Sequence, residues 1–157
     1  MKIVAKTLFG LEQLLADELK SLGAKKVNIL NRAVEFEGDQ SLLYTVNVHS
    51  RLAARFIVPF ANFQARDEKD LYKKTQKIDW SKYLNNEKTF AIGSTTNGDL
   101  FTHSQFAAQK VKDAIVDQFR DKTGARPNVD TTSPDVLINL NIANRDVSFA
   151  LDSSGEP

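Results

Sequence analysis

The sequence predicts a mixed α/β (α+β) protein, and three observations support that class. Leucines recur at helical spacing after Gly10, apolar and polar residues alternate from Val136 onward, and turn-forming residues separate such segments. The chain has 157 residues, of which 41% are hydrophobic, so it can bury a core without crosslinks. It contains no cysteine, which excludes disulfides, thiolate metal sites and cysteine nucleophiles.

The first half of the chain predicts the element order β-α-β-β-α-β. A helix follows Gly10, and Asp39 is a suitable N-cap for a second helix. Asn31-Arg32 separates two short apolar runs at the spacing of a tight hairpin. Strands are therefore expected at 3–8, 26–30, 33–37 and 54–63. This order is the split βαβ, or ferredoxin-like, arrangement.

The second half predicts a further α/β unit. A Lys-rich helix at 68–76 leads to Trp80 and Tyr83. A strand is expected at 88–96, a long helix at 104–119 with an inner stripe of Ala108, Val111, Ile115 and Phe119, and a hairpin formed by 136–143 and 147–151.

The charge distribution places few limits on function. The formal net charge is +1, although residues 1–66 hold nine Lys/Arg against six Asp/Glu. No apolar stretch approaches the length of a membrane span, and no signal peptide follows Met1. We therefore expect a soluble, cytoplasmic protein that does not contact a membrane.

Several kinds of active site are excluded by missing motifs. The seven glycines form neither a dinucleotide fingerprint nor a phosphate loop, and the four prolines form no Asn-Pro-Pro motif for methyl transfer. His49 and His103 are the two histidines, and neither has metal-ligand spacing. We expect no catalytic residue, no metal and no cofactor in this chain.

Candidate RNA-binding residues cluster at the start of the long helix. His103 and Ser104 precede its N-terminal amides, which could hold a phosphate, although Ser104 is also a plausible helix cap. Phe106 lies off the apolar stripe beside Lys110, where it could stack on a base. The alternative is that Lys110 and Lys112 form surface ion pairs with Asp113 or Asp117.

Two further candidates lie outside that helix. Arg126 follows Gly124 in a loop, where its guanidinium suits a phosphate contact. Arg51 and Arg55 would form a second basic spot if the preceding helix extended that far, with a structural role as the alternative.

Four stretches together resemble a known family. They are Thr7-Leu8-Phe9-Gly10-Leu11-Glu12, residues 103–117, Arg126-Pro127-Asn128-Val129-Asp130 and Leu151-Asp152-Ser153-Ser154-Gly155-Glu156. In this order they resemble the front end of the bacterial THUMP-domain RNA methyltransferases that modify the guanine exocyclic amine of ribosomal RNA. Members are often labelled adenine-specific DNA methylases.

The resemblance implies a domain organisation and a function. It implies a ferredoxin-like lobe at 1–64, a THUMP RNA-binding domain at 65–152, and at 153–157 the start of a linker to an absent catalytic domain. That domain would bind S-adenosylmethionine, and the chain would position large-subunit ribosomal RNA for it. The chain is thus interpreted as a fragment without an active site.

Two other functions stay open at this point. One is a structural domain that docks its catalytic partner through Phe106, Trp80 or Tyr83. The other is a small acyl-phosphate hydrolase, which only analogy between folds supports.

Overall fold

A computed structural model describes residues 1–98 and 104–153, in two compact units. Unit 1 comprises Met1–Pro59 together with residues 151–153, and unit 2 comprises Phe60–Ala150. Within the described residues, none of the helices is both long and apolar enough to cross a membrane.

Unit 1 has the predicted β-α-β-β-α-β order. Its elements are β1 (Lys2–Lys6), α1 (Glu12–Ser21), β2 (Lys25–Leu30), β3 (Ala33–Glu37), α2 (Gln40–His49) and the start of β4 (Arg55–Gln64). The strands are arranged β2-β3-β1-β4, and each neighbouring pair is antiparallel. This order confirms the ferredoxin-like prediction.

The core of unit 1 comes from the apolar faces that the sequence pattern indicates. Leu15 and Leu19 of α1 are fully buried, and Phe36 meets Phe56 edge-on with ring centroids 6.3 Å apart. α2 begins at Asp39, whose Oδ1 accepts a hydrogen bond of 2.8 Å from the Leu42 amide, as predicted. This cap satisfies one of the free N–H groups that every helix start leaves.

Unit 2 is built around a parallel pair of strands. Its elements are the end of β4, α3 (Glu68–Gln76), a 3-10 helix (Trp80–Lys82), β5 (Phe90–Asn97), α4 (Ser104–Thr123), β6 (Val136–Ala143) and most of β7 (Asp146–Asp152). The strands are arranged β4-β7-β6-β5. β5 and β6 run parallel from Phe90 opposite Val136 to Asn97 opposite Ala143. A parallel pair needs a long crossover, and α4 lies in that connection.

The interior of unit 2 is aromatic. Trp80 is fully buried, and its ring centroid lies 5.6 Å from that of Phe60 and 5.3 Å from that of Phe149. The Trp80 indole N–H donates to the Thr75 carbonyl at 2.9 Å, so its polar atom is satisfied inside the core. Burial of Trp80 removes it from the docking surface that the structural alternative requires.

Candidate nucleic-acid interface

The α4 helix carries most of the predicted site, and its buried face fixes which side chains point outward. Val111 and Ile115 are fully buried, as predicted, and Phe119 is 6% exposed. Ala108 was expected in this stripe but is half-buried, whereas its neighbour Ala107 is 1% exposed. The buried face is therefore turned slightly from the predicted one.

A buried glutamine joins α4 to the last residue of α3 and to the segment that follows it. The Gln118 amide nitrogen donates to the carbonyls of Gln76 and Ile78 at 2.8 and 2.7 Å. Its Oε1 accepts from the Trp80 amide at 3.1 Å. Three backbone groups thereby find partners in one side chain, which holds α4 in register with the 3-10 helix.

Lys110 lies on the flank of α4 that faces α3. Its Nζ is 5.6 Å from the centroid of the Phe106 ring, and Phe106 is 51% exposed. This cation–π contact holds a positive charge beside an accessible aromatic face. A groove runs along this flank, lined by Glu68, Lys69, Tyr72, Lys73, Gln76, Lys110, Asp113 and Asp117.

Lys112 lies on the other flank, because residues two apart on a helix point in different directions. It borders a separate cleft between α4 and β5, lined by Phe90, Ile92, Ser94, Gln105, Ala108, Gln109, Lys112, Val129 and Thr131. Its Nζ lies 3.5 Å from the Asp113 carboxylate. The predicted alternative of a surface ion pair is thus present at Lys112.

Arg126 lies in the loop after α4, where it is half-buried and its Nε donates to the Pro127 carbonyl at 3.3 Å. The next residues are fixed to β5, since the Phe90 amide donates to Asn128 and the Asp130 amide donates to the Phe90 carbonyl, both at 3.0 Å. Amides of Ser133 and Thr132 hold the pKa of the Asp130 carboxyl below its usual value. This loop is anchored on both sides of Val129.

The two predicted residues at the start of α4 are less fully described. His103 lies outside the described residues, and for Ser104 the structure describes the backbone position that begins α4. α4 has 20 residues, so its two ends are about 30 Å apart. Ser104 and Arg126 therefore cannot contact the same phosphate, and the predicted residues form an extended surface.

The second basic spot is not a helical pair. α2 ends at His49 because Ser50 has extended backbone angles, φ −71° and ψ 134°, and Arg55 is the first residue of β4. The condition under which Arg51 and Arg55 would lie one helical turn apart is therefore not met. Arg55 instead pairs with Asp152 at 3.4 Å, while the Arg51 amide donates to the Glu18 carboxylate.

Two features of this surface were not predicted from the sequence. The Tyr72 hydroxyl donates to the Asp117 carboxylate, and that bond, with burial, raises the pKa of Tyr72 to about 12. Lys69 and Lys73 of α3 line the same groove as Lys110. The Lys-rich composition of 68–76 was the available signal, but it does not show which helix lies opposite.

The resemblance assigns S-adenosylmethionine to another domain, and the β1–α1 turn of this chain lacks a feature that nucleotide-binding turns have. A nucleotide-binding turn presents free amides after a strand. In the β1–α1 turn, the Gly10 amide already donates to the Glu12 carboxylate at 2.7 Å. No group of three His, Asp or Glu side chains in the described part of the chain could hold a metal ion.

Comparison with protein families gives two matches along the chain. Residues 2–57 match the RlmL ferredoxin-like domain, and residues 65–152 match the THUMP domain.

Similar proteins carry related names. The chain is 42% identical over 146 residues to a Synechocystis protein that carries the provisional name of RNA methyltransferase. The match covers 93% of this chain and 38% of that protein. The chain is 40% identical over 154 residues to the ribosomal RNA large subunit methyltransferase K/L of Buchnera aphidicola, covering 98% and 22%. The chain thus spans well under half of either relative.

Solved structures share the fold. A Listeria monocytogenes protein described as a predicted N6-adenine-specific DNA methylase superposes with a TM-score of 0.81 at 24% identity. The superposition covers 96% of this chain and 40% of that one.

Proposed function

Because the chain belongs to the THUMP domain family and carries an RlmL ferredoxin-like domain before it, we propose that it binds structured RNA and positions it for methylation. The RNA is large-subunit ribosomal RNA, and the methyl donor is S-adenosylmethionine bound by another domain of a longer protein. The observation that carries this proposal is the THUMP match over residues 65–152, together with the RNA methyltransferase names of both relatives.

Lys110, Lys112 and Arg126 are the described residues that we propose for phosphate contact. Lys110 and Lys112 lie on two flanks of α4, and Arg126 lies beyond its C-terminal end. Such a spread surface suits RNA that is recognised by shape, because phosphate contacts set register without reading sequence. Ser104 and His103 would extend this surface at the opposite end of α4.

The Phe106 ring supplies a second kind of contact beside these charges. The ring is 51% exposed, and the Lys110 ammonium lies over it, 5.6 Å from its centroid. Unpaired bases stack on such rings in many RNA-binding proteins. Phe106 therefore serves an RNA-binding surface, and it is also the residue through which the structural docking alternative would act.

The test is the salt dependence of binding. The 157-residue chain is titrated with a transcript of large-subunit ribosomal RNA over a range of salt concentrations. The slope of the logarithm of the association constant against the logarithm of the salt concentration should become less steep by roughly 0.7–0.9 in each of Lys110→Ala, Lys112→Ala and Arg126→Ala. This change corresponds to one lost phosphate contact. Lys122→Ala is the matched control, since Lys122 is an α4 lysine that pairs with Asp79 at 3.8 Å.

Two results would refute the proposal. One is the absence of detectable binding at about 50 mM salt, where phosphate contacts are strongest. The other is an equal change of slope in the control and the three site variants. In the longer protein, the site variants should raise KM for RNA and leave the affinity for S-adenosylmethionine unchanged.

A further inference from the structure

The β1–α1 loop of unit 1 exposes two large apolar side chains in succession. Leu8 is 72% exposed and Phe9 is 76% exposed. Most apolar residues of β1 and α1 pack inward, as shown by Ile3 and Leu15, which are fully buried. Two exposed apolar side chains that are adjacent in one loop form a small contiguous patch, and contiguous apolar patches are the kind that mark interaction sites.

The loop is held in place by hydrogen bonds. The Glu12 carboxylate accepts from the Gly10 amide at 2.7 Å and from the Arg32 amide at 3.1 Å. The Thr7 amide donates to the Arg32 carbonyl at 2.9 Å, and the Thr7 hydroxyl donates to the Leu52 carbonyl at 2.8 Å. The loop, the β2–β3 turn and the segment before β4 therefore meet at one end of this sheet.

This end of unit 1 carries three cations, and the carboxylates of Glu12 and Glu18 lie beside them, each bonded to backbone amides. Lys6, Arg32 and Arg51 are exposed, and in the described part of the chain no carboxylate lies within 4 Å of their side-chain nitrogens. The Glu12 carboxylate accepts from backbone amides, and the amides of Glu12 itself and Arg32, with a smaller effect of the Arg32 charge, hold its pKa below the usual value. The surface around Leu8 and Phe9 thus offers cations and an aromatic face.

We propose that Phe9 stacks on an unpaired base of the bound RNA, with Arg32 and Arg51 contacting the adjoining phosphates. This inference rests on the RNA binding proposed above for unit 2, and it adds a separate contact on unit 1. It also gives a role to the Thr7–Glu12 stretch of the sequence, which takes no part in the RNA binding proposed for α4.

The size and charge of the patch favour a base over a protein partner. Leu8 and Phe9, even with the 39% exposed Leu30 at the end of β2, present much less apolar area than the roughly 800 Å² per partner of a stable protein interface. One aromatic ring, however, is enough for one base, and the surrounding cations match the phosphates on either side of it. Arg51, a member of the secondary basic spot expected from the sequence, contacts a phosphate in this proposal.

The experiment compares two RNA probes and two substitutions in the whole 157-residue chain. The probes are an RNA hairpin with a six-nucleotide loop and a blunt RNA duplex of the same stem sequence. Phe9→Ala should weaken hairpin binding roughly 5- to 150-fold, because a base loses its stacking partner, and leave duplex binding unchanged. Tyr44→Ala is the matched control, since Tyr44 is a 73% exposed aromatic residue of α2. It should change neither affinity.

A spectroscopic readout tests stacking directly. In Phe9→Trp, the hairpin should quench the emission of the introduced indole, and the duplex should not. Trp80 is the one natural tryptophan and is fully buried, so it adds a constant background.

The outcomes separate this inference from the proposed function. Equal hairpin affinity in Phe9→Ala and Tyr44→Ala, or equal weakening of hairpin and duplex, overturns the stacking contact alone. Loss of RNA binding by the unsubstituted chain overturns both proposals. A change in self-association without a change in hairpin affinity assigns the loop to a protein contact and overturns the inference.

Discussion

Tyr72 of α3 donates its hydroxyl hydrogen to the Asp117 carboxylate of α4, and this bond joins the two helices that border the Lys110 groove. The Tyr72 oxygen in turn accepts from the Gln76 amide group at 3.1 Å. The Asp117 carboxylate, which lines this groove, is therefore already bonded to Tyr72. Of the two acidic partners expected for the α4 lysines, Asp113 pairs with Lys112, whereas Asp117 accepts from a phenol 45 residues away.

The first prediction concerns stability at high pH. The Asp117 bond and burial raise the pKa of Tyr72 to about 12, so the folded protein keeps this proton where the unfolded chain loses it. The contribution of this proton to stability is complete below about pH 10, the usual tyrosine value, and disappears as the pH rises through about 12. Tyr72→Phe should lower the free energy of unfolding at pH 7 by about 1 kcal/mol and reduce its decline above pH 10.

Urea denaturation between pH 7 and pH 11.5 measures this effect, with Tyr44→Phe as the control. Absorbance at the tyrosinate wavelength gives a second measurement, because one of the three tyrosines should titrate late and that step should vanish in Tyr72→Phe. Identical titration curves for the two variants would contradict the prediction.

The second prediction concerns Gln118, which makes three hydrogen bonds from α4 to the end of α3 and the residues that follow it. Gln118→Ala leaves two carbonyls and one amide without their partner in a largely buried place. The free energy of unfolding should fall by about 2–4 kcal/mol, since each stranded group costs about 1 kcal/mol or more. Gln109→Ala removes an exposed amide from the same helix and should change stability by less than about 0.5 kcal/mol. Equal losses in the two variants would argue against this account.

The third prediction uses two glycines that both have positive φ. A Cβ on Gly98, at φ +111°, would lie 2.3 Å from Oδ1 of Asn144, whereas a Cβ on Gly124, at φ +77°, would meet nothing within 4 Å. Gly124→Ala should therefore cost about 1 kcal/mol from backbone strain alone. Gly98→Ala should lower stability more, because it also displaces Asn144. The backbone N–H of Asn144 donates to the Asn97 carbonyl at 2.6 Å. Thermal melts of both variants test the order, and an equal or reversed order would exclude the steric explanation.

How much of the fold could be predicted from sequence depends on whether a signal is local. The Asp39 cap and the Asn31-Arg32 turn are specified by neighbouring residues, and both were predicted. The end of α2 before Arg51 also has a local cause, since Ser50 has extended backbone angles. Helical periodicity alone did not mark that end.

The candidate site was less predictable because its geometry depends on distant contacts. Helical spacing correctly placed Lys110 beside Phe106, four residues earlier. That α3 lies across from Lys110 and β5 lies across from Lys112 is set by packing between elements far apart in sequence. No pattern within α4 contains that information, and the same holds for Tyr72 as the partner of Asp117.

The last prediction follows from the position of Asp113 between the two proposed phosphate contacts. Its carboxylate lies 3.5 Å from Lys112 Nζ, and it also lines the groove that contains Lys110. If both lysines bind phosphate, Asp113 repels the same ligand and competes for Lys112. Asp113→Asn should therefore strengthen RNA binding, by several-fold at low salt and less at high salt, because screening weakens charge repulsion.

A purely structural role for these lysines predicts a different result. If Lys112 serves only to pair with Asp113, then Asp113→Asn leaves RNA affinity unchanged and alters stability by less than about 1 kcal/mol. Asp121→Asn is the matched control, because Asp121 is an exposed carboxylate further along α4. Fluorescence anisotropy with a ribosomal RNA transcript at two salt concentrations distinguishes the two cases. Equal strengthening by Asp113→Asn and Asp121→Asn would indicate a general charge effect and would remove Asp113 from the proposed interface.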